Sequence, residues 1–317
     1  MTTILRIIPI ALAGLLLVLG SVSAYAEGYA IIVGVNDCPN FRLPDGSRPR
    51  PLRGAENDAD AIAGLLVNDY GFQKQHILVL KGKAATAGGV KAAFEKITAM
   101  MGKDDLFVFH FSGHGTQIAD RRPLDEPDRL DEALCTFDAT EQGQNLILDD
   151  QLGLWLDAME AGEVTVILDC CHAGTGTKDP NDEVVARYLP IRGSKRRADA
   201  VKKPWRELAG STKSIGRRMT AFFACRPEQQ SYERRMLQFK PPRRAGQFTT
   251  FVVEGLSGAT ADLDRDGRVS NQELAAYATR RLDERFNRDR TLPAEQQRPL
   301  VETDQPDAPV FGILIEG

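Results

Sequence analysis

Residues 106–115 read LFVFHFSGHG, an aromatic and aliphatic run over Leu106–Phe111 that breaks into a glycine-flanked histidine, His114. A run this short and this apolar has no face left for water. It therefore predicts a strand covered on both sides rather than a half-exposed one. Working outward, Tyr29–Val35 (YAIIVGV) has the same character and is ended by Asn36-Asp37. Val164–Leu168 (VTVIL) and residues 219–225 (MTAFFAC) repeat it, and His76–Leu80 is a further strand. The intervals are helical. Ile62, Leu65, Leu66 and Tyr70 recur at helical spacing within Asn57–Tyr70, which Gly71 stops, and Val90, Phe94, Ile97 and Met101 form one stripe of Gly88–Met101. An acidic loop and a short helix around Leu152–Met159 follow, and later Phe248–Leu256 and Asn271–Phe286 read as helices. Val310–Ile315 is expected to be a sixth strand. Such alternation predicts an α/β three-layer sandwich, a mostly parallel six-stranded sheet with helices on both faces. Ligands of such sheets bind beyond the carboxyl ends of the strands.

The composition fits one large domain or two small ones: 317 residues, 42% hydrophobic and 26% charged. A net charge of −4 argues against a general polyanion binder, and five cysteines are too few for a disulfide scaffold. The chain opens with one basic residue, Arg6, an apolar run, and the small-x-small ending Ala24-Tyr25-Ala26. This reads as a secretory signal peptide cut after Ala26, so the expectation is an exported protein, periplasmic or secreted. The apolar run is short for an uncleaved membrane anchor. One stretch resists the alternation. Gly174–Arg218 lacks periodicity and is rich in Lys and Arg, including Arg187 and Lys195-Arg196-Arg197. It has few aromatics for a nucleic-acid patch, so it reads as an exposed, cleavable connector between a larger part, 27–173, and a smaller part, 219–317.

Two strand ends carry candidate chemistry. The strand at 106–111 runs into Ser112-Gly113-His114-Gly115, and the strand at 164–168 runs into Asp169-Cys170-Cys171-His172-Ala173-Gly174. If both are parallel and central, a histidine and a cysteine face each other at one edge of the sheet, the thiol within proton-sharing reach of the imidazole. A thiol needs a base or a positive neighbour to become a nucleophile at neutral pH, and imidazole serves. Glycines beside His114 let a substrate backbone approach and free an amide N–H for an oxyanion. Each feature alone has a plainer reading, a hydrogen-bonded strand-end histidine and core or disulfide cysteines. The pairing of the two favours Cys–His catalysis.

In chain order, YAIIVGVN, LRGAENDA, FVFHFSGHG, DEALCTFD, VILDCCHAG and FFACRPEQQSYE resemble a metacaspase-type member of the caspase-like cysteine peptidases. The resemblance covers nearly all of the chain after residue 26. It implies a caspase-like fold and an endopeptidase with a dyad at His114 and Cys171, the cysteine preceding His-x-Gly. Backbone N–H groups of Gly115 and Cys171 would then hold the oxyanion. The positions matching the family's acidic specificity pocket are Asp58, Ser112 and Asp169, which implies cleavage after Arg or Lys and makes the basic connector a substrate of the enzyme itself. The chain departs from the pattern with Ala173 where Ser is common and with Ala55 where Cys is common. A lapsed, calcium-holding relative, or a Cys–His peptidase cutting after Asp or Asn, are the competing readings.

Asp262 to Glu273 (DLDRDGRVSNQE) fits a calcium loop: Asp262, Asp264 and Asp266 at positions one, three and five, Gly267 at the turn, the carbonyl of Arg268, Ser270 at nine and Glu273 at twelve. An Asp-rich solvated turn is the plainer reading. The resemblance implies a second calcium site at Asp149-Asp150, with Asp125 or Asp128 contributing; a solvated loop with Asp149 capping the next helix is the alternative. Asp131-Glu132 receives no role.

Overall fold

The computed structural model describes residues 26–119, 129–172, 184–191, 218–288 and 296–312. The strands are β1 (Gly28–Gly34), β2 (Ile77–Lys81), β3 (Leu106–Ser112), β4 (Gly115–Ala119), β5 (Leu130–Cys135), β6 (Leu146–Leu148), β7 (Glu163–Asp169), β8 (Val184–Ala186), β9 (Arg218–Phe223), β10 (Tyr232–Met236), β11 (Arg243–Gly246) and β12 (Leu300–Thr303). The helices are α1 (Ala55–Asn68), α2 (Ala87–Thr98), α3 (Asp149–Asp157), α4 (Gln247–Leu256) and α5 (Asn271–Leu282).

The main sheet has six strands in the order β12-β9-β7-β3-β1-β2. All neighbours are parallel except β12, which runs antiparallel along β9. Every residue of β1 and β3 is buried, as their apolar sequences require. The pleat sorts them into two cores. Ile31, Val33, Phe107, Phe109 and Phe111 meet Phe94 and Ile97 of α2 and Leu152 and Leu156 of α3. Ala30, Ile32 and Val108 meet Ile62 and Leu66 of α1 and Phe251 and Leu274 of α4 and α5. Each of the three β3 phenylalanines contributes about 1.5–3 kcal/mol through burial. The three-layer α/β sandwich expected from the sequence is therefore the observed architecture.

Three features depart from expectation. The sixth strand is β12, not Val310–Ile315. Phe311 and Gly312 take positive φ angles of 67° and 57°, which an extended strand cannot accommodate. Val310 and Phe311 are instead buried in a turn, where the Phe311 ring packs edge-on against Tyr70 at 5.0 Å; residues 313–317 lie outside the described residues. Secondly, two small sheets flank the main one, β4-β5-β6 and β11-β10-β8, both antiparallel. Thirdly, Val184–Ile191, inside the stretch read as a structureless connector, is built into the fold as β8 and a following extended segment. The expected signal segment lies outside the described residues except for Ala26, as do 173–183 and 192–217. Among the described residues no helix is long and apolar enough to cross a membrane.

Candidate active site

β3 and β7 are paired in register through Ser112 opposite Asp169. Counting two residues past each gives His114 and Cys171, so the register alone sets the two at equivalent positions beyond one edge of the sheet. Both are buried, His114 at 4% and Cys171 at 0% exposure. The backbone is tied down on each side: the Cys135 N–H donates to the His114 carbonyl at 2.9 Å and the Gly113 N–H to the Asp169 carbonyl at 3.3 Å. The thiol and the imidazole are not hydrogen-bonded to each other, however. Neither ring nitrogen of His114 meets the sulfur, and Cys171 Sγ donates to the Ser231 carbonyl at 3.8 Å. Burial pushes the Cys171 thiol up to about 12 and lowers the His114 imidazole to about 3, the latter helped by the charge of Arg187. Thiol and imidazole are both neutral in this conformation.

Asp58, Ser112 and Asp169 do come together, and Arg187 of the chain itself fills the space between them. Its side chain is fully buried. Nη2 meets Asp58 Oδ2 at 2.6 Å, and Nη1 lies 3.1 Å from Asp169 Oδ2 and donates to Ser112 Oγ at 2.7 Å and to the Asp169 carbonyl at 3.0 Å. Ser112 Oγ in turn donates to Asp58 Oδ2 at 2.7 Å. Asp58 lies in the first turn of α1, whose cap is Gly54, and its carboxylate faces the pocket. Burial holds its carboxyl at about 6, above the usual range, against the opposing pull of Arg187.

Sequence reasoning missed the rest of this pocket. Glu233 on β10 is fully buried, 3.7 Å from Arg187 Nη2, and accepts from the N–H groups of Arg53 and Gly54 at 2.9 and 2.8 Å and from Arg244 Nε at 3.1 Å. Thr249 and Ser231 hold the Asp169 carboxylate: the Thr249 hydroxyl donates at 2.7 Å and that of Ser231 at 2.5 Å. The Gly246 N–H donates to Asp58 Oδ1 at 3.0 Å. A methyl group on Gly246 would overlap Asp169 Oδ2 and stand 2.7 Å from Arg187 Nη1, so only glycine lets the backbone line this pocket. Glu233 does end the FFACRPEQQSYE stretch, the one signal that could have flagged it.

The backbone of Arg187 is held as firmly as its side chain. Its carbonyl accepts from both amides expected to face an oxyanion, Gly115 N–H at 2.9 Å and Cys171 N–H at 3.3 Å. Its N–H donates to the Ser231 carbonyl at 2.9 Å. A methyl on Gly115 would collide with the Cys171 carbonyl. Residues before Arg187 pair antiparallel with β10, Val185 opposite Glu233. One arginine thus occupies a carboxylate pocket, an amide pair and a strand edge at once, directly beside a cysteine.

The acidic loop near the C-terminal end is also formed. Carboxylate oxygens of Asp262, Asp264 and Glu273 lie within 4.8 Å of one another, and Gly267 makes the turn at φ 88°. Asp266 is engaged by the Arg268 N–H at 2.8 Å, and Ser270 caps α5 in a reciprocal pair with Glu273. Partial burial pushes the Glu273 carboxyl up, but backbone N–H groups of Ser270, Leu263 and Asp264 and the Ser270 hydroxyl outweigh it and hold it below its ordinary value. At the other candidate site Asp149 is the first residue of α3, not its cap. Its Oδ2 is buried without a hydrogen-bond partner. Burial, followed by the charge of Glu132 and then of Asp131 and Asp150, raises its carboxyl to about 9, although the Asp150 N–H opposes the shift. Asp131 and Glu132 therefore belong to this cluster; Asp125 and Asp128 lie outside the described residues.

Comparison with known proteins agrees with this fold. Residues 29–180 match the family model described as metacaspase, peptidase C14 domain. Metacaspase III c of Phaeodactylum tricornutum is 32% identical over 152 residues, 46% of this chain and 42% of that protein. Metacaspase-3 of Arabidopsis thaliana is 30% identical over 161 residues, 48% of this chain and 41% of the other, and Metacaspase-1 of Saccharomyces cerevisiae 30% over 154 residues, 46% and 33%. The matched region spans less than half the length of each of these relatives. The crystal structure of protein GSU0716 from Geobacter sulfurreducens shares the fold, with a TM-score of 0.57 at 23% identity over 91% of this chain and 99% of that one.

Proposed function

Taking a metacaspase-like, caspase-fold chain as the premise, we propose a cysteine endopeptidase that cuts after Arg or Lys and processes itself, with Cys171 as nucleophile and His114 as base. The observation that carries this reading is Arg187. Its guanidinium satisfies the acidic pocket while its carbonyl accepts from the Gly115 and Cys171 N–H groups. The planar fork of arginine suits two carboxylates and a hydroxyl, and a lysine can supply the charge. An Asp or Asn in its place would leave Asp58 and Asp169 without a counter-charge, while Glu233 would keep only Arg244, which argues against the acidic or amide preference.

The chemistry follows from the groups in place. Cys171 Sγ gives its proton to His114 and attacks the Arg187 carbonyl carbon. The two amides hold the oxyanion that forms there. The Arg187–Tyr188 C–N bond breaks, and His114 returns the proton to the departing Tyr188 amine. Water then hydrolyses the thioester, leaving a carboxylate on Arg187. In the closed conformation thiol and imidazole are neutral and unbonded, so the step requires the imidazole to turn toward the sulfur. The same pocket would accept basic peptides once the segment leaves.

Calcium belongs to this reading as a proposal. Asp262, Asp264 and Glu273 supply a hard oxygen donor set around a glycine turn, as a calcium loop needs. The partnerless Asp149 Oδ2, crowded by Glu132, Asp131 and Asp150, is where a second cation would relieve repulsion. Bound there, calcium would supply charge compensation and order to the β5–α3 region. The signal segment further suggests export.

The test is purified chain with calcium or with chelator, followed by intact mass over time and assayed on reporter peptides ending in Arg, Lys, Asp or Asn. Cutting after Arg187 and turnover of basic reporters, both lost in Cys171→Ala, are expected. An active enzyme that leaves the 187–188 bond whole and prefers Asp reporters would overturn the specificity.

A further inference from the structure

Beyond the residue that precedes the cut, the chain engages a second strand edge, that of β4. Tyr188 bridges Gly115 of β4 in parallel fashion. The pattern is complete on both sides. The Gly115 N–H donates to the Arg187 carbonyl and the Leu189 N–H donates to the Gly115 carbonyl, each at 2.9 Å. Thr116 Oγ1 then donates to the Leu189 carbonyl at 2.6 Å. The Leu189 side chain is 3% exposed and joins the core cluster with Ile118 and Leu134, and half-buried Ile191 packs against it. The residues before the bond lie on β10 and those after it on β4, so the peptide is clasped from two sheets.

Resting on the Arg/Lys-directed reading above, we propose that the β4 edge is a substrate-binding subsite for residues following the scissile bond, and that it selects a large aliphatic side chain at the second of them. Three observations agree. Backbone bonds from Gly115 and Thr116 fix the register without regard to sequence, as in strand addition. That register sends the second side chain inward, because successive strand residues alternate. The wall it meets is apolar, so a charged residue there would lose its water with no partner in return. Basic-directed cleavage would then be confined to Arg or Lys sites with a Leu- or Ile-like residue two positions beyond.

The experiment uses the full chain in calcium, after processing is complete. The peptides are Val-Val-Ala-Arg-Tyr-Xaa-Pro-Ile with Xaa Leu, Ala or Asp, quantified by mass spectrometry, alongside an Arg amide dye that has no residues beyond the cut. Cleavage of the Leu peptide at least about tenfold faster than the Asp peptide, with Ala between, is expected. Equal rates for the three peptides overturn the subsite while leaving the Arg preference standing. Turnover of the dye with none of the octapeptides also overturns it, since the edge is then closed to substrates. Failure on the dye and on every peptide removes the underlying reading and the subsite with it.

Discussion

Replacing Arg187 with Ala in a Cys171→Ala background, where the chain stays uncut, isolates what the guanidinium does for the fold. Its removal leaves Asp58, Asp169 and Glu233 facing one desolvated space, all with exposures of 1% or less. Breaking a buried charge pair from one side costs about 3–5 kcal/mol, because the remaining charge has lost its partner and cannot recover water. The pH dependence has a definite sign. Asp58 sits at about 6 even with Arg187 present, and losing the cation raises it further. A carboxyl raised in the folded state destabilises fully above that raised pKa, and the cost fades as pH falls toward the unfolded value near 4. Urea unfolding followed by tryptophan fluorescence should therefore show a loss of about 3–5 kcal/mol at pH 8 that shrinks to less than half at pH 5. Arg187→Lys, which keeps the charge, should recover most of it. A loss below about 1 kcal/mol at pH 8, or one equal at both pH values, would refute the picture of a closed carboxylate pocket.

Three further outcomes are expected. Gly246→Ala should lower turnover of Arg reporters by at least about a hundredfold, as its methyl invades the pocket between Asp58 and Asp169, and steady-state assays check this. Iodoacetamide should modify Cys171 at least about tenfold more slowly in the intact chain than in the processed one, because the buried thiol is held at about 12; peptide mass mapping at pH 7.5 reads the difference. Glu273→Gln should weaken calcium binding to the 262–273 loop by at least about tenfold in calorimetry, since it removes the closing carboxylate charge while keeping the side-chain length that serves the α5 cap.

The buried strands were legible because they are covered on both faces, so LFVFHFS and YAIIVG need no periodicity to declare themselves. Their register then set His114 and Cys171 at equivalent positions beyond paired strand ends, and the motif endings pointed to both. The small sheets were not legible for a related reason. Val184–Ala186 is three residues long, YERRM and RRAG are largely charged, and short strands of this kind carry little apolar signal. Arg187 looked like one of many surface cations because composition cannot distinguish a solvated charge from a counter-ion; only its meeting with three carboxylates does. The C-terminal run misled in the opposite direction. Val310 and Phe311 are apolar because they plug a turn against Tyr70, whereas the true edge strand, LVET, is half polar.

A hollow lined by three acids is a poor thing to assemble around water, and here the polypeptide carries its own counter-ion into place as it collapses. Under the proposed self-cleavage, the uncut form would owe part of its durability to a segment that the cut releases, and the lifetime of the cut form would track how often a basic guest is present.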